Sequence, residues 1–333
     1  MLTFTRPCFS APERVSENEW TPLSAWTKEN DFKLSWVKWN ESFTLTSQLW
    51  KLSFKVDSQM AEINGINVWL CKPIALRNGQ PCISLLDLNA TVEPILFPQT
   101  NGVHPMIRTI CLDPGHGRKD TGGVFGSYVE KRYTLPLAKE LAGQLEVAGF
   151  KVILTRTNDT FVELEDRPAL ANRLKADLFI SLHFNIGPPG KARGVEVYCL
   201  TPAKAKSTNA GGWRDINEWR DSIEAMPGNR QDDENMLLAY QLQKSLVKNL
   251  SADDRGVRRA RFAVLRTAEM PAVLIEGGFL SDAVEQKEIA DPKYRSRLAA
   301  AIVQGVLSYR EAFENHQPKY DGHEITQNKK KGA

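Results

Sequence analysis

From residue 107 onward the chain alternates short apolar runs with longer stretches of helical period, and this limits its fold more than any other feature. The runs 107–112, 151–155, 177–182, 195–200, 262–265 and 272–275 read as strands. Between them, residues 131–148 place Leu137, Ala138, Leu141, Leu145 and Ala148 on one helical face, with Gly149 as the stop. Residues 164–174 are also helical, and 235–250 carry Leu238, Leu242 and Leu246 on one side. A last long helix opens at Asp291-Pro292, a capping residue followed by proline at the first helical position. Such alternation predicts an α/β fold, a mainly parallel sheet with helices on both faces.

The first hundred residues have a different texture. Six of the eight tryptophans (Trp20, Trp26, Trp36, Trp39, Trp50 and Trp69) fall there. "KLSWVKW" and "LWKLSFKVD" alternate like half-buried strands, and Asn64-Gly65 in "INGINVWL" signals a hairpin. "PCISLLDLNATVEPIL" reads as one helix. The predicted organisation is an N-terminal extension (1–29), a small β-rich domain (30–97), a linker (98–106), the α/β domain (107–313) and a polar tail (314–333).

Composition excludes several classes. The net charge is +3, and the only basic cluster, Lys329-Lys330-Lys331, sits in the tail, so no nucleic-acid partner is expected. No apolar run approaches the ~18 residues of a membrane-spanning helix. The five cysteines form no CxxC pair and are odd in number, which argues against a disulfide framework or a cysteine metal cage. The opening "MLTFTRPCFSAPERV" has no apolar core of a secretory signal. A monomer is expected.

Ligands of such sheets gather at the carboxyl ends of the strands. The first strand runs into "DPGHG" with His116, "DLFISLHFN" ends in His183 and Asn185, and "AVLIEGG" ends in Glu276. Glu130 heads the first long helix. Two imidazoles and one carboxylate make a catalytic zinc set with a fourth position left for water, and the remaining carboxylate then acts as base. The glycines around His116 let the backbone turn sharply and present the ring. A hydrogen-bonded structural role for either histidine is the alternative. The other three histidines, His104, His316 and His323, lie outside the core of this domain.

"DPGHG", Glu130-Lys131, "LEDRPALANRLKADLFISLHFN", "GVEVY" and "PAVLIEGGFLSD" together resemble the zinc-dependent N-acetylmuramoyl-L-alanine amidases of bacterial cell walls, the catalytic family called amidase type 3. The resemblance covers about residues 107–310, in order. It implies Zn²⁺ held by His116, Glu130 and His183, with Glu276 as the catalytic glutamate. It also implies hydrolysis of the amide between N-acetylmuramic acid and L-alanine, in peptidoglycan or muropeptides, and a place in the cell envelope. With no signal in view, a start upstream of Met1 or an unusual export signal is expected. The residues alone give only a zinc hydrolase. A zinc amidase of another substrate, or a catalytically silent wall-binding or regulatory protein, stays open.

Two positions depart from the family pattern: Arg118 follows Gly117, and Phe184 stands between His183 and Asn185. Neither replaces a ligand, so an altered groove is expected with the metal retained. Residues 202–234 hold the place of a regulatory helical insert found in some relatives, and they are read as a substrate-facing loop. The N-terminal part loosely resembles a copper amine oxidase N-terminal-like module. Arg167 and Asn172 are candidates to position substrate, or to cap a helix or anchor the sheet. Asn185 is a candidate substrate contact, and Asp113 a brace for the turn.

Overall fold

The computed structural model describes residues 19–98, 107–208 and 224–314. Most of the expected linker, the middle of the 202–234 segment and all but the first residue of the tail lie outside the described residues.

The first strands in chain order are β1 (Trp20–Pro22), β2 (Lys33–Lys38), β3 (Ser42–Thr46), β4 (Lys51–Lys55), β5 (Met60–Ile63), β6 (Ile66–Trp69), β7 (Ala75–Arg77) and β8 (Gln80–Ser84). The remainder are β9 (Thr109–Pro114), β10 (Val124–Phe125), β11 (Tyr128–Val129), β12 (Lys151–Leu154), β13 (Leu178–Asn185), β14 (Val195–Leu200), β15 (Asp254–Ala260) and β16 (Ala272–Phe279). β12, β9, β13 and β16 are mutually parallel, while β14 joins β16 antiparallel and β15 parallel.

Strand alternation covers this sheet on both sides. Ile110, Leu112, Leu178, Ile180, Leu182, Val273 and Ile275 face one core, which the helices Lys131–Val147, Asp232–Leu250 and Pro292–Glu314 complete. Cys111, Phe179, Ala272 and Leu274 face the other, with Ala171 of the helix Asp166–Arg173 and Val264 and Leu265 of the helix Ala263–Arg266. The expected α/β architecture is therefore present.

Two local expectations are corrected, residues 262–265 as a strand and 81–96 as one helix. Residues 263–266 are helical, since a run of four apolar residues has no decisive period. The strand lies just upstream, in "DRGVRRA", where buried Arg258 and Arg259 hide it from an apolar pattern. In "PCISLLDLNATVEPIL" the first residues belong to β8, and the helical run begins only after Ser84, whose hydroxyl accepts from the Asp87 amide as an N-cap.

β2 to β6 form an antiparallel meander with the two-residue turn Asn64-Gly65. The meander continues the main sheet, because β6 runs parallel to β15 through the pair Val68 and Val257. The result is one sheet of eleven strands, in the order β12-β9-β13-β16-β14-β15-β6-β5-β4-β3-β2. Asn67 reinforces the joint: its amide donates to Asp254 Oδ2 at 2.7 Å and its Nδ2 to the Asp254 carbonyl at 3.0 Å. Leu23, Phe43, Leu52 and Ile63 belong to the same core as Leu242 and Tyr309. The buried Arg259 guanidinium donates to the Leu200 carbonyl and, across the joint, to Ala90 O and Thr91 Oγ1. The four described cysteines are buried free thiols. No helix among the described residues is long and apolar enough to cross a membrane.

Candidate metal centre

β9 delivers the site. Its end, Asp113-Pro114, is gripped from below by two arginines. Arg167, 1% exposed, donates through Nη1 to Asp113 Oδ1 and the Pro114 carbonyl, through Nη2 to the His116 and Val162 carbonyls, and through Nε to Val162. Arg156 adds bonds from Nε to Pro114 O and from Nη2 to Gly115 O, each 2.8 Å long. Asp113 has 0% exposure and also accepts from Thr155 Oγ1 and Ser181 Oγ. Turn carbonyls taken out of water need such partners. Three of the Arg167 bonds go to the turn and two tie it to the Val162 carbonyl, so it shapes the ground on which His116 stands.

The turn itself requires glycine. His116 has φ +65°. A Cβ on Gly115 would lie 2.3 Å from His183 Cε1. Gly122 has φ +64°, and a Cβ there would lie 2.4 Å from His116 Cδ2 and 2.5 Å from Glu130 Oε2. Gly122→Ala should therefore push the donors apart and weaken metal binding by roughly 10–100-fold, the scale seen when groups supporting a ligand are disturbed. Competition with a chromophoric chelator measures this.

His116, Glu130 and His183 converge with one donor atom each, all within 4.8 Å of one another. His116 Nε2 is 2.9 Å from Glu130 Oε2, and His183 Nδ1 is 2.8 Å from Glu130 Oε1. Glu130 precedes the first turn of the helix Lys131–Val147 and also accepts from the backbone N–H groups of Gly123 and Phe184. His116 Nδ1 lies 2.8 Å from Asp120 Oδ2, which fixes the ring with Nε2 toward the cluster. Asp120 carried no signal in the sequence beyond its spacing of four from His116.

Burial alone would raise the Glu130 carboxyl, but hydrogen bonds and charges from His116 and His183 overcome it and hold Glu130 well below the usual carboxylate range. Burial alone would lower His116, and Glu130 and Asp120 overcome it and raise the imidazole above its usual value. An anionic donor therefore sits between two imidazoles, a set that fits a divalent cation such as zinc.

Glu276 reaches the same edge on β16, where it is the register partner of His183 on β13 and of Glu196 on β14. Its Oε2 is shut off from solvent and has no hydrogen-bond partner. Burial, then the charges of Glu130 and Glu196, push its carboxyl well above the usual range. Asn185 turns its amide sideways, with Nδ2 donating to Glu196 Oε1 at 2.7 Å and Oδ1 accepting from the Ile186 amide at 2.8 Å. Asn172 lies away from the cluster and ties its helix to the Thr267 carbonyl and the Glu269 amide. Glu196, Arg255 and Arg258 were not singled out in the sequence, where Glu196 is an isolated charge and the arginines fall in the charged run "DDRGVRRAR".

Fold and site thus define an α/β protein with a His/Glu/His cluster whose donors fit a cation, and a separate carboxylate, at the carboxyl edge of its sheet. Residues 110–308 match the family model described as N-acetylmuramoyl-L-alanine amidase, and the chain belongs to that family. It is 32% identical over 201 residues to the amidase LytC of Bacillus subtilis, covering 60% of this chain and 35% of that protein. To the amidase AmiC of Neisseria meningitidis serogroup B it is 34% identical over 270 residues, covering 76% of this chain and 62% of the relative. The chain thus spans about a third and about three fifths of the lengths of these two proteins. A solved amidase structure from Clostridium difficile 630 superposes with a TM-score of 0.50 at 34% identity, covering 62% of this chain and 97% of that one.

Proposed function

We propose that this chain hydrolyses the amide between N-acetylmuramic acid and L-alanine in peptidoglycan or muropeptides, with His116, Glu130 and His183 holding zinc. The observation that carries this reading is Glu276 Oε2, a buried and unpartnered carboxylate oxygen at the same edge as a three-donor cation cluster. Zinc, when bound, supplies a Lewis acid that polarises the carbonyl and makes water a stronger nucleophile near neutral pH.

The chain's own residues do the rest. Glu276, whose side chain is partly exposed at the sheet edge, takes the proton of the attacking water. The water oxygen bonds to the lactyl carbon, the carbon–nitrogen bond breaks, and Glu276 returns the proton to the departing nitrogen of L-alanine. A carboxyl raised above its usual range is suited to both directions of transfer. Asp120 holds the His116 ring, and Arg167 and Arg156 hold the turn beneath it. Asn185 borders the edge as a candidate substrate contact. A peptidoglycan substrate supports a place in the cell envelope.

Incubation with purified muropeptides tests the reaction. Mass spectrometry should find free stem peptide beginning at L-alanine, together with the peptide-free sugar. Intact muropeptide after removal and resupply of zinc would remove the proposal.

The cluster also sets a pH dependence. The raised His116 stabilises the metal-free fold fully below pH 6.5, and that contribution is lost as pH rises through its folded value. The lowered Glu130 contributes above pH 4.5, and loses its contribution as pH falls through its folded value. Metal-free protein should therefore gain most from the pair between pH 4.5 and 6.5. Zinc requires neutral imidazole. Above pH 6.5 the zinc-free Tm should decline while the Tm rise on adding zinc grows, and His116→Gln should abolish both trends. Thermal unfolding across pH, with and without zinc, checks this.

A further inference from the structure

The last residue of the meander reaches across the sheet joint. Trp69 Nε1 donates to the Arg255 carbonyl at 3.0 Å, and the Arg258 guanidinium lies over the Trp69 ring, 4.4 Å from its centroid. Both arginines converge on one oxygen: Arg255 Nε and Arg258 Nε each lie 2.9 Å from Glu196 Oε2. The other oxygen of Glu196 accepts from Asn185 Nδ2 at 2.7 Å and from the Tyr198 hydroxyl at 3.0 Å. Glu196 is 1% exposed, and it faces Glu276 directly across the antiparallel pair of β14 and β16.

Two carboxylates opposite each other on neighbouring strands repel unless one is held and neutralised. Here the two guanidiniums do so for Glu196. Among the described residues the Arg258 guanidinium is held by the Trp69 ring, Glu196 and the Thr208 carbonyl, so the meander supplies one of its three partners, and Trp69 holds the backbone of Arg255 through its carbonyl.

We propose that Trp69 is a positioning residue for the hydrolytic site. Through Arg255 and Arg258 it fixes Glu196, and Glu196 fixes Asn185 and the face of β16 that carries Glu276. The N-terminal strands thereby become part of the catalytic apparatus. This rests on the reading of Glu276 as the proton carrier.

Three variants test it. Trp69→Leu removes both contacts, Trp69→Phe keeps a ring under Arg258 and loses the N–H, and Asn67→Ala weakens the joint without touching either arginine. With soluble muropeptide, Trp69→Leu should lower kcat about tenfold, within the roughly 10²-fold that a ~1 Å misplacement can cost. Its KM and zinc content should stay within about twofold of wild type, the pattern of a lost transition-state interaction. Trp69→Phe should fall about threefold, and Asn67→Ala should stay within about twofold in kcat at a similar loss of Tm. In zinc-free protein, the Asn185 side-chain amide NMR signal should move in Trp69→Leu and stay in place in Asn67→Ala.

Unchanged kcat in Trp69→Leu, or an equal loss in Asn67→Ala, overturns the proposal. Should Trp69→Leu fail to fold, wild-type kcat and an unmoved Asn185 signal in Trp69→Phe overturn it. If the wild-type protein releases no peptide, the hydrolytic reading fails, and the Asn185 signal alone decides whether Trp69 positions the edge.

Discussion

Glu276→Gln should keep its fold and its zinc and lose about 10²–10⁴-fold in turnover, the usual share of acid–base catalysis. The amide has the shape of the carboxyl but cannot take the proton of the attacking water. Glu276→Ala should be at least as poor. Glu130→Ala should behave in the opposite manner, because Glu130 bridges His116 and His183 at 2.9 and 2.8 Å. It should lose metal first, and added zinc should restore part of its activity. Zinc content and muropeptide turnover, measured on both variants at matched concentration, separate the roles. Zinc lost from Glu276→Ala but retained in Glu130→Ala would reverse them, and undiminished turnover in Glu276→Gln would remove the proton carrier.

The second large effect is on stability. Arg167→Met would leave Asp113 as a buried carboxylate without its cation, at 0% exposure. Breaking a buried ion pair from one side costs about 3–5 kcal/mol. Two turn carbonyls, at Pro114 and His116, and the Val162 carbonyl would lose a donor as well. The variant should therefore unfold at much lower denaturant and bind zinc poorly even where folded. Arg167→Lys should rescue little, since an ammonium cannot reproduce the planar fork. Pairing Arg167→Met with Asp113→Asn should recover part of the loss, because no uncompensated charge remains. Urea denaturation of the single and double variants measures this, and a loss under ~1 kcal/mol in Arg167→Met would show that the turn does not depend on the pair.

What could be read in the sequence follows a physical division. His116, His183 and Glu276 were visible because each stands where an apolar run stops, and Glu130 because it heads a long amphipathic helix. These are local signals. β15 was hidden because its register buries Arg258 and Arg259, which an apolar pattern cannot mark. Glu196 gains meaning only from its place opposite Glu276, and Arg156 only from lying under a turn some forty residues earlier. The joint between β6 and β15 rests on one residue pair and the bonds of Asn67 and Trp69, so nothing local announces it. Contacts set by the register of distant strands escape a periodicity reading, while strand ends and helix starts do not.

Because β6 lies along β15, the sheet has its open edges at β12 and β2, far apart in strand order. An unpaired strand edge is a template for another chain. Were the meander absent, β15 would present its free backbone groups, with buried Val257 behind them, to any neighbouring molecule. The N-terminal strands thus act as a cover against self-association. β2, which takes over the end among the described strands, carries Lys33 and Lys38, charges that discourage a further strand from adding.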